Sequence, residues 1–498
     1  MSANFFSKLK ANFINDKVCL EDTASGQSFT YADINHITST MAHWLTAAGL
    51  KPGERVMVQV EKSPANLFWY LAALRCGLIY LPLNTAYQPE ELEYFVGNAE
   101  PSLVICDPAK QALFQELTNC QVVTLDKTGS FSAASELNAN NGEFTDVTVT
   151  ANDTAVILYT SGTTGRPKGA MISHGNLLAN TEALSKTWHW QQDDVMLHAL
   201  PIFHIHGLFV ASHLPLYNSS TIVFLAKFSP ELVLEHLPRS TVYMGVPTNY
   251  TRLLQNPNFN EAACQNMRLF TSGSAPLLPQ TFDQMRSQTG FEIVERYGMT
   301  ETGMNTSNPL DGTRKPGTVG PVLEGVQANI VADDGKPVAN GQPGDLLIKG
   351  ANVFRGYWQM PEKTAEEFTE DGYFRTGDIA SMDQDGYISI VGRGKDLVIS
   401  GGLNVYPKEI EAVIDRIAGV KESAVIGVPH ADFGEAVTAI VVAEAETLSS
   451  ADIESEVQKL ASFKRPKQIH FVDELPRNTM GKVQKNLLRE RFSSDQQS

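Results

Sequence analysis

The sequence predicts an α/β protein with a large N-terminal domain of layered α/β subdomains, a small β-rich subdomain and an α+β C-terminal domain. Three observations favour this class. Apolar strand-like runs alternate with helical patterns, these runs end in polar or glycine-rich loops, and short strands rich in Gly and Pro appear from about residue 310. We expect residues 1–394 to form the N-terminal domain and residues 395–498 the C-terminal domain.

The first 130 residues show the alternation most clearly. Helical patterns such as Ser63–Leu74 separate four apolar runs, VMVQV, LIYLPL, LVICD and QVVTL. Strands that alternate with helices favour a parallel sheet. The polar segment at about 130–149 is short of large aliphatic residues, and we predict it to be a surface connection between two units.

A second series of strands follows this polar segment. The runs AVILYTSG, STIVFLA, STVYMGVP, RLFTSGSAP and FEIVERYG share an apolar strand that ends in a polar or glycine-rich loop. Ligands of open α/β sheets bind at the carboxyl ends of strands. These loops are therefore the first place to look for a functional site.

The last third of the chain shows two different sequence patterns. Short runs (QANIVADD, GDLLIKG and GYISIVG) predict the β-rich subdomain. Beyond the junction VGRGKD at 391–396, the runs LVISGG, SAVIGVP, AVTAIVVA and QIHFVDELP predict strands. Helices are expected at about 407–417 and 450–461, which completes an α+β domain of about 100 residues.

Composition and charge argue against several classes of protein. The 498 residues include 39 Lys and Arg against 56 Asp and Glu, and the net charge of −17 disfavours nucleic acid or an anionic membrane as partner. The five cysteines form no CxxC pair, so neither a zinc cluster nor a disulfide framework is expected. The most hydrophobic stretch, Phe68–Leu83, is interrupted by Arg75 and falls short of a bilayer span. We expect a cytoplasmic protein without stable membrane insertion, either a monomer or a homodimer.

The segment Tyr159–Gly169 (YTSGTTGRPKG) follows the strand AVIL and carries the strongest local signal. Its glycines allow close backbone approach, and its N–H, hydroxyl and ammonium groups can donate to phosphate oxygens. The Walker spacing G-x-x-x-x-G-K-[ST] is absent. The pattern predicts an anion cradle rather than a polar surface turn.

Four further motifs follow in order along the chain. The run RYGMTE (Arg296–Glu301) offers a ring to stack on a base, a hydroxyl for phosphate and a carboxylate for Mg²⁺. In RTGD (Arg375–Asp378), Asp378 could hold two ribose hydroxyls. GRGKD (392–396) and PRNTMGK (476–482) complete the set, although each of these could alone be a polar turn.

The joint order of these motifs resembles the adenylate-forming superfamily of acyl-CoA synthetases, nonribosomal peptide adenylation domains and luciferases. The resemblance covers nearly the whole chain. It implies three subdomains in the N-terminal domain, a mobile C-terminal domain with a hinge at Lys395, and a reaction of ATP with a carboxylate that gives an acyl-adenylate and pyrophosphate.

The resemblance also implies the nucleotide site. The glycine-rich segment would hold the β- and γ-phosphates through Thr160, Ser161, Gly162, Thr163, Thr164, Gly165 and Lys168. The adenine would lie against Ser274, Ala275, Pro276 and Tyr297. The remaining contacts would be Thr300 to the α-phosphate, Glu301 to Mg²⁺, Asp378 and Arg393 to the ribose, and Lys482 between the acid and the α-phosphate. Lys482, Thr300, Glu301 and Lys168 are the implied catalytic set.

The second half-reaction implied by the resemblance is attack of coenzyme A on the acyl-adenylate with release of AMP. Rotation about Lys395 would withdraw Lys482 and bring up the loop Ser400, Gly401 and Gly402. Small residues in this loop would let the pantetheine arm of CoA pass. The expected partners are therefore the small molecules ATP, CoA and an organic acid.

The acid is predicted to be a short dicarboxylate. Arg296 precedes Tyr297, and the loop PIFHIHGLF brings His204 and His206 to the side that borders the carboxylate pocket in this family. A buried guanidinium there would be costly unless the substrate supplied a second anion. Met304 could cap the pocket and limit acid length. Runs such as PIFHIHGLF, ERYGMTETGMNTSNP and GVPHADFGEAV are similar to malonyl-CoA synthetases, which implies malonate, with methylmalonate as a second acid.

Several alternatives stay open at this point. Arg296 could pair with Glu295, Glu292 or another acidic residue, and His206 could be a packed core histidine. The acid could be oxalate or a medium-chain monocarboxylate, and the acceptor could be a carrier protein instead of CoA. A non-catalytic nucleotide-binding protein is disfavoured because all expected groups are present, and a serine hydrolase because no GxSxG occurs.

Overall fold

The computed structural model describes residues 2–137, 142–160, 167–275, 277, 279–332, 334–393, 398–405, 407–444, 448–476 and 483–494. The first elements in chain order are α1 (Phe5–Lys10), β1 (Val18–Asp22), β2 (Ser28–Thr30), α2 (Tyr31–Ala47), β3 (Arg55–Gln59), α3 (Pro64–Arg75), β4 (Ile79–Pro82), α4 (Pro89–Ala99), β5 (Leu103–Cys106), α5 (Gln111–Leu117) and β6 (Gln121–Thr124).

The next elements are β7 (Thr154–Thr160), β8 (Lys168–Ser173), α6 (His174–Thr187), β9 (Val195–His198), α7 (Ala211–Tyr217), β10 (Thr221–Phe224), α8 (Pro230–His236), β11 (Val242–Gly245), α9 (Pro247–Leu254), β12 (Leu269–Ser272), α10 (Pro279–Thr289), β13 (Val294–Met299) and β14 (Gly303–Ser307).

The remaining elements are β15 (Val326–Val331), β16 (Gly344–Gly350), α11 (Pro361–Glu366), β17 (Phe374–Met382), β18 (Ile388–Arg393), β19 (Val398–Ser400), β20 (Leu403–Val405), α12 (Pro407–Ile414), β21 (Val420–His430), β22 (Gly434–Ala443), α13 (Ser450–Val457), β23 (Gln468–Phe471) and α14 (Lys485–Ser494).

Two largely parallel sheets form the body of the N-terminal domain, as the alternation of strands and helices predicts. One has the order β6–β5–β3–β4–β7–β8 and is parallel except for the pair β7–β8. The other has the order β14–β13–β12–β11–β9–β10–β1–β2, parallel from β13 to β1 with an antiparallel strand at each edge. The loops after β7, β12 and β13 lie at carboxyl ends of these strands.

Helix α3 illustrates how the local sequence sets these elements. Ser63 is the N-cap, and its hydroxyl accepts from the Asn66 amide, while Pro64 fills the first helical position, where no N–H donor is needed. Ten of its twelve residues, Asn66–Arg75, are buried, and all of these except Asn66 and Arg75 are apolar or aromatic. The helix lies inside the domain because it has almost no polar face for water. Among the described residues, no helix is both long and apolar enough to cross a membrane.

The segment at about 130–149 is more than the predicted surface connection. Phe131 and Phe144 are buried, and the Phe131 ring packs against Trp44 and Trp69. Asp146 accepts a hydrogen bond from the buried Arg75 guanidinium at 2.7 Å. The prediction failed because a few aromatic residues and one acid are enough to attach a polar segment to the core.

The β-rich subdomain and the smaller C-terminal domain have the predicted classes. Strands β15–β18 form an antiparallel sheet in chain order. The C-terminal sheet has the order β20–β19–β22–β21, with β23 parallel to β22. Helices α12 and α13 end earlier than expected, because tighter turns with hydrogen bonds over three residues follow them (Ile417 N to Ile414 O, and Leu460 N to Val457 O).

Candidate active site

Glu301 lies where the two N-terminal sheets meet, just beyond the carboxyl end of β13. Its Oε1 accepts hydrogen bonds from Thr160 Oγ1 at 3.2 Å, at the end of β7, and from the Tyr357 hydroxyl at 3.0 Å. Burial raises the pKa of this carboxyl, although nearby Lys168 opposes the shift. Thr160, the last residue of β7 and a predicted phosphate ligand, therefore shares one site with Glu301, the predicted Mg²⁺ ligand.

Lys168, at the start of β8, faces the same site. Its Nζ lies 4.1 Å from the centre of the Tyr357 ring and 3.5 Å from Glu367 Oε1. Burial lowers the pKa of this ammonium, and the carboxylates of Glu367 and Glu301 oppose that shift. Sequence reasoning missed Tyr357 and Glu367. Tyr357 reaches the site because it bridges to Ala170 of β8, a long-range pairing that the sequence does not encode locally.

Asp378 of β17 and Tyr297 of β13 are brought into direct contact. The Tyr297 hydroxyl donates to Asp378 Oδ2, and both side chains are buried. Arg393 of β18 is the register partner of Asp378 across the sheet. The contact fixes the position of the Tyr297 ring beside the carboxylate expected to hold the ribose.

The turn after β12 holds Ser274 and Ala275. Ser274 has a φ of +68°, a left-handed conformation that is rare for residues other than glycine. Its Oγ lies 3.4 Å from His206 Nδ1, so the hydroxyl faces the predicted acid loop. The strained backbone is held in place at a site-lining turn.

The Arg296 side chain is buried, and two of its N–H donors have no hydrogen-bond acceptor in the described structure. Only 4% of the residue is exposed, and its Nε and Nη2 meet no hydrogen-bond acceptor among the described residues. Burial lowers the pKa of the guanidinium to about 9. The planar group lies directly over Gly273, where any Cβ would clash with Arg296 Cζ. A buried cation of this kind favours binding of an anion, which the described residues do not supply.

The two acidic residues that could pair with Arg296, Glu295 and Glu292, interact with other groups. Glu295 accepts from the Gly317 amide at 3.2 Å, and burial raises its pKa to about 7. Glu292 lies 3.5 Å from the Arg286 guanidinium. Adjacent residues of a strand point to opposite faces, which separates Glu295 from its neighbour Arg296.

His204 and His206 lie on the same loop, which ends in a single π-helical turn, His206–Val210. Burial, reinforced by Arg296, lowers the pKa of His204 to about 4 and that of His206 well below its ordinary value. His206 Nε2 is buried without a hydrogen-bond partner in the described part of the chain. Both imidazoles are therefore neutral at neutral pH, and His204 is a neutral rather than a charged neighbour of the site.

Met304 is fully buried beside the strand that carries Arg296. It pairs with Gly298 across β13 and β14, and a Cβ at Gly298 would lie 2.7 Å from Met304 Cε. Its amide donates to Asn180 Oδ1 at 3.0 Å. Met304 therefore packs tightly behind the Arg296–Tyr297 segment.

The loop Ser400, Gly401 and Gly402 lies against the N-terminal domain. Together with His204, His206 and Ser274 it lines a cavity of about 390 Å³. Gly402 has a φ of +76°, and a Cβ there would lie 2.9 Å from Val246 Cγ1. Glycine is needed at this position for both reasons.

Eight of the predicted site residues lie outside the described residues: Ser161, Gly162, Thr163, Thr164, Gly165, Pro276, Lys395 and Lys482. Only the backbone pairing of Arg393 is described. Thr300, next to Glu301 in the sequence, lines a small cavity with Thr160 and His204.

Comparison with known proteins defines the class. The model of the AMP-binding enzyme family matches residues 8–358, and that of the AMP-binding enzyme C-terminal domain matches residues 409–482. The chain therefore belongs to the family of AMP-binding enzymes. Within it, this protein is an AMP-forming acyl-CoA ligase that uses ATP, Mg²⁺ and coenzyme A, with small molecules as its substrates.

Curated relatives differ in the acid that their names state. Malonate–CoA ligase of Arabidopsis thaliana is 35% identical, over 90% of this chain and 79% of its own. Sulfoacetate–CoA ligase of Cupriavidus necator is 34% identical, and feruloyl-CoA synthase of an Amycolatopsis species is 33% identical, each over 94% of both chains. The class of reaction is common to these relatives, but the acid is not.

Two solved structures are similar over almost the whole chain. ATP-bound MatB from Rhodopseudomonas palustris is 50% identical over 99% of both chains, with a TM-score of 0.78. A malonyl-CoA ligase in a product complex with methylmalonyl-CoA and AMP is 33% identical, over 93% of this chain and 97% of its own, with a TM-score of 0.82. The less identical product complex is thus the better structural match.

Proposed function

We propose that this enzyme is a malonate–CoA ligase that also accepts methylmalonate. It would join malonate to ATP as a malonyl-adenylate and then transfer the malonyl group to CoA, with release of pyrophosphate and AMP. The observation that carries the proposal is the buried Arg296 guanidinium with unpaired donors beside the acid loop. The relatives named for malonate and the product complex with methylmalonyl-CoA support it.

The charge of Arg296 selects for a second anion on the substrate. A carboxylate can accept two parallel hydrogen bonds from a guanidinium, and such charge-assisted bonds are strong in a buried site. The neutral imidazoles of His204 and His206 add polar contacts without extra charge. A monocarboxylate would leave the guanidinium buried and unpaired, which is a severe penalty.

The nucleotide chemistry is a matter of positioning and charge neutralisation. The donor set fits Mg²⁺, which proteins hold through one or two carboxylates together with substrate phosphates. Glu301 would hold the ion, which lowers the charge that accumulates as the malonate carboxylate attacks the α-phosphate. Lys168 would hold the outer phosphates, Asp378 the ribose, and Lys482 the reacting groups.

The arrangement of the domains fits the second half-reaction. Gly401 and Gly402 line the 390 Å³ cavity together with His206, which leaves a passage toward the acid pocket for the pantetheine arm. We infer that the C-terminal domain, residues 395–498, rotates about Lys395 between the two half-reactions.

A panel of acids tests the proposal. Malonate, methylmalonate, sulfoacetate, ferulate and butyrate are each supplied with ATP, Mg²⁺ and CoA, and pyrophosphate and thioester are measured separately. We expect malonate to give the highest kcat/KM, methylmalonate to follow and the two monocarboxylates, ferulate and butyrate, to be poor. Preference for ferulate or butyrate would contradict the proposal.

Sulfoacetate is the second candidate, because its sulfonate could also take the two donors of Arg296 and a relative is named for it. A higher kcat/KM for sulfoacetate than for malonate would favour this acid. Carrier-protein loading is tested in the same assay, since AMP release that depends on CoA in the absence of any carrier identifies CoA as the acceptor.

A further inference from the structure

Lys464 joins the two domains through a buried ion pair. Its Nζ donates to Glu91 Oε1 of α4, in the N-terminal domain, at 2.6 Å, and to Glu409 Oε1 of α12, in its own domain, at 2.7 Å. Only 1% of the residue is exposed, and the Tyr87 ring centre lies 4.9 Å from Nζ. The reaction as derived above does not use these residues.

The contact between Lys464 and Glu91 is an ion pair, and it forms only when the two domains have this relative position. Burial alone would lower the pKa of Lys464, but the carboxylates of Glu409 and Glu91 outweigh it and raise the pKa. A buried ammonium and carboxylate attract each other far more strongly than an exposed pair. A second interdomain pair in the described part of the chain, Arg252 with Asp432, is about half exposed and contributes little by comparison.

The pair lies close to the loop that faces the acid pocket. Leu403, Phe463 and Lys464 border the same small cavity as Thr160 and Thr300. Leu403 directly follows Gly402, whose backbone lies against Val246. The contact of Lys464 with Glu91 of α4 therefore also holds the loop 400–402 against the N-terminal domain.

We propose that Lys464 is a positioning residue for the thioester-forming half-reaction. Its bond to Glu91 holds the C-terminal domain in the arrangement in which Gly401 and Gly402 face the acid pocket. Glu409 belongs to the same domain as Lys464 and stays with it during rotation, so that the ammonium can leave Glu91 without becoming an unpaired buried charge. The inference rests on the proposed function in one respect, the assignment of this arrangement to CoA transfer.

The variant Glu91→Gln tests the inference. It removes the interdomain charge pair, leaves Lys464 paired with Glu409 and keeps an amide oxygen near the Gln88 amide that Glu91 caps. The matched control is Glu93→Gln, an exposed residue of the same helix. We expect CoA transfer from a presented acyl-adenylate to fall about tenfold in Glu91→Gln, with ATP–pyrophosphate exchange unchanged or faster. Normal CoA transfer, or equal loss of both steps, would overturn the inference.

Hydrogen exchange gives a second readout that needs no substrate. Amides at 400–403 should exchange faster in Glu91→Gln than in the unaltered chain or in Glu93→Gln, because the loop leaves Val246 more often. Lys464→Gln should behave in the same way. Unchanged exchange in both variants would overturn the inference. Failure of every acid in the panel would instead count against the proposed function, and the exchange result would still decide whether the ion pair holds the domain.

Discussion

At the scale of single residues, the candidate site is marked by buried polar groups that have no hydrogen-bond partner among the described residues. Arg296 and His206 both carry buried nitrogen atoms without a hydrogen bond in the described structure. The sequence predicts Arg296 as the anion-binding group, since a guanidinium in an apolar pocket needs an acid. It does not predict Gly273, because the need for glycine arises only when Arg296 from another strand packs over it.

Substitution of Gly273 should weaken acid binding. In Gly273→Ala, the new Cβ would displace the Arg296 guanidinium, and we expect the KM for malonate to rise about tenfold with the KM for ATP nearly unchanged. Steady-state kinetics with each substrate varied in turn measures this split. Gly97→Ala is the control, because a Cβ at Gly97 meets no neighbouring atom. An unchanged KM for malonate would show that Gly273 does not set the position of Arg296.

At the scale of elements, the strand periodicity and the motifs predict where strands occur along the chain and which loops carry chemistry. Contacts between distant elements are not predicted, such as the bridge that brings Tyr357 from a loop to β8 beside Glu301. Helix ends are also missed, because α12 and α13 end in tighter turns that a sequence pattern does not distinguish from helix.

Strand β13 carries a prediction about pH and stability. The pKa of Glu295 is raised by burial to about 7, so the folded state binds its proton more tightly than the unfolded state, whose pKa is near 4.5. Proton binding to Glu295 therefore stabilises the folded state at low pH. This contribution to the free energy of unfolding is lost as the pH rises, and the loss is complete above pH 7. Relative to Glu295→Gln, the unaltered protein should lose about 2 kcal/mol between pH 5.5 and 8. Thermal unfolding of both proteins across this range measures the difference, and parallel Tm curves would contradict it.

At the scale of the whole molecule, the net charge of −17 provides no long-range attraction for ATP, CoA or a dicarboxylate. We therefore propose that affinity comes from a few cations at the site, Arg296 and Lys168 among them. The strand pattern and the motif resemblance predict the fold class and a division into two domains. They do not predict the relative position of the domains, which depends on ion pairs such as Lys464–Glu91, whose partners are 373 residues apart.

The proposed rotation of the C-terminal domain predicts that the half-reactions can be separated by mutation. Lys482→Ala should abolish adenylate formation because it removes the cation proposed to lie between the acid and the α-phosphate, yet CoA transfer from a presented acyl-adenylate should persist. Pyrophosphate release and thioester formation, measured separately, check this. Equal loss of both steps would remove Lys482 from the proposed role.

The ratio of kcat/KM for malonate to that for butyrate, in the unaltered enzyme and in Arg296→Leu, tests the central claim most directly. Arg286→Leu, which alters an exposed guanidinium on α10, is the matched control. We predict that the ratio falls by about 10²- to 10³-fold in Arg296→Leu, since the second carboxylate of malonate loses its buried partner, and stays constant in the control. A ratio that is the same in all three proteins would contradict the assignment of Arg296 as the carboxylate anchor.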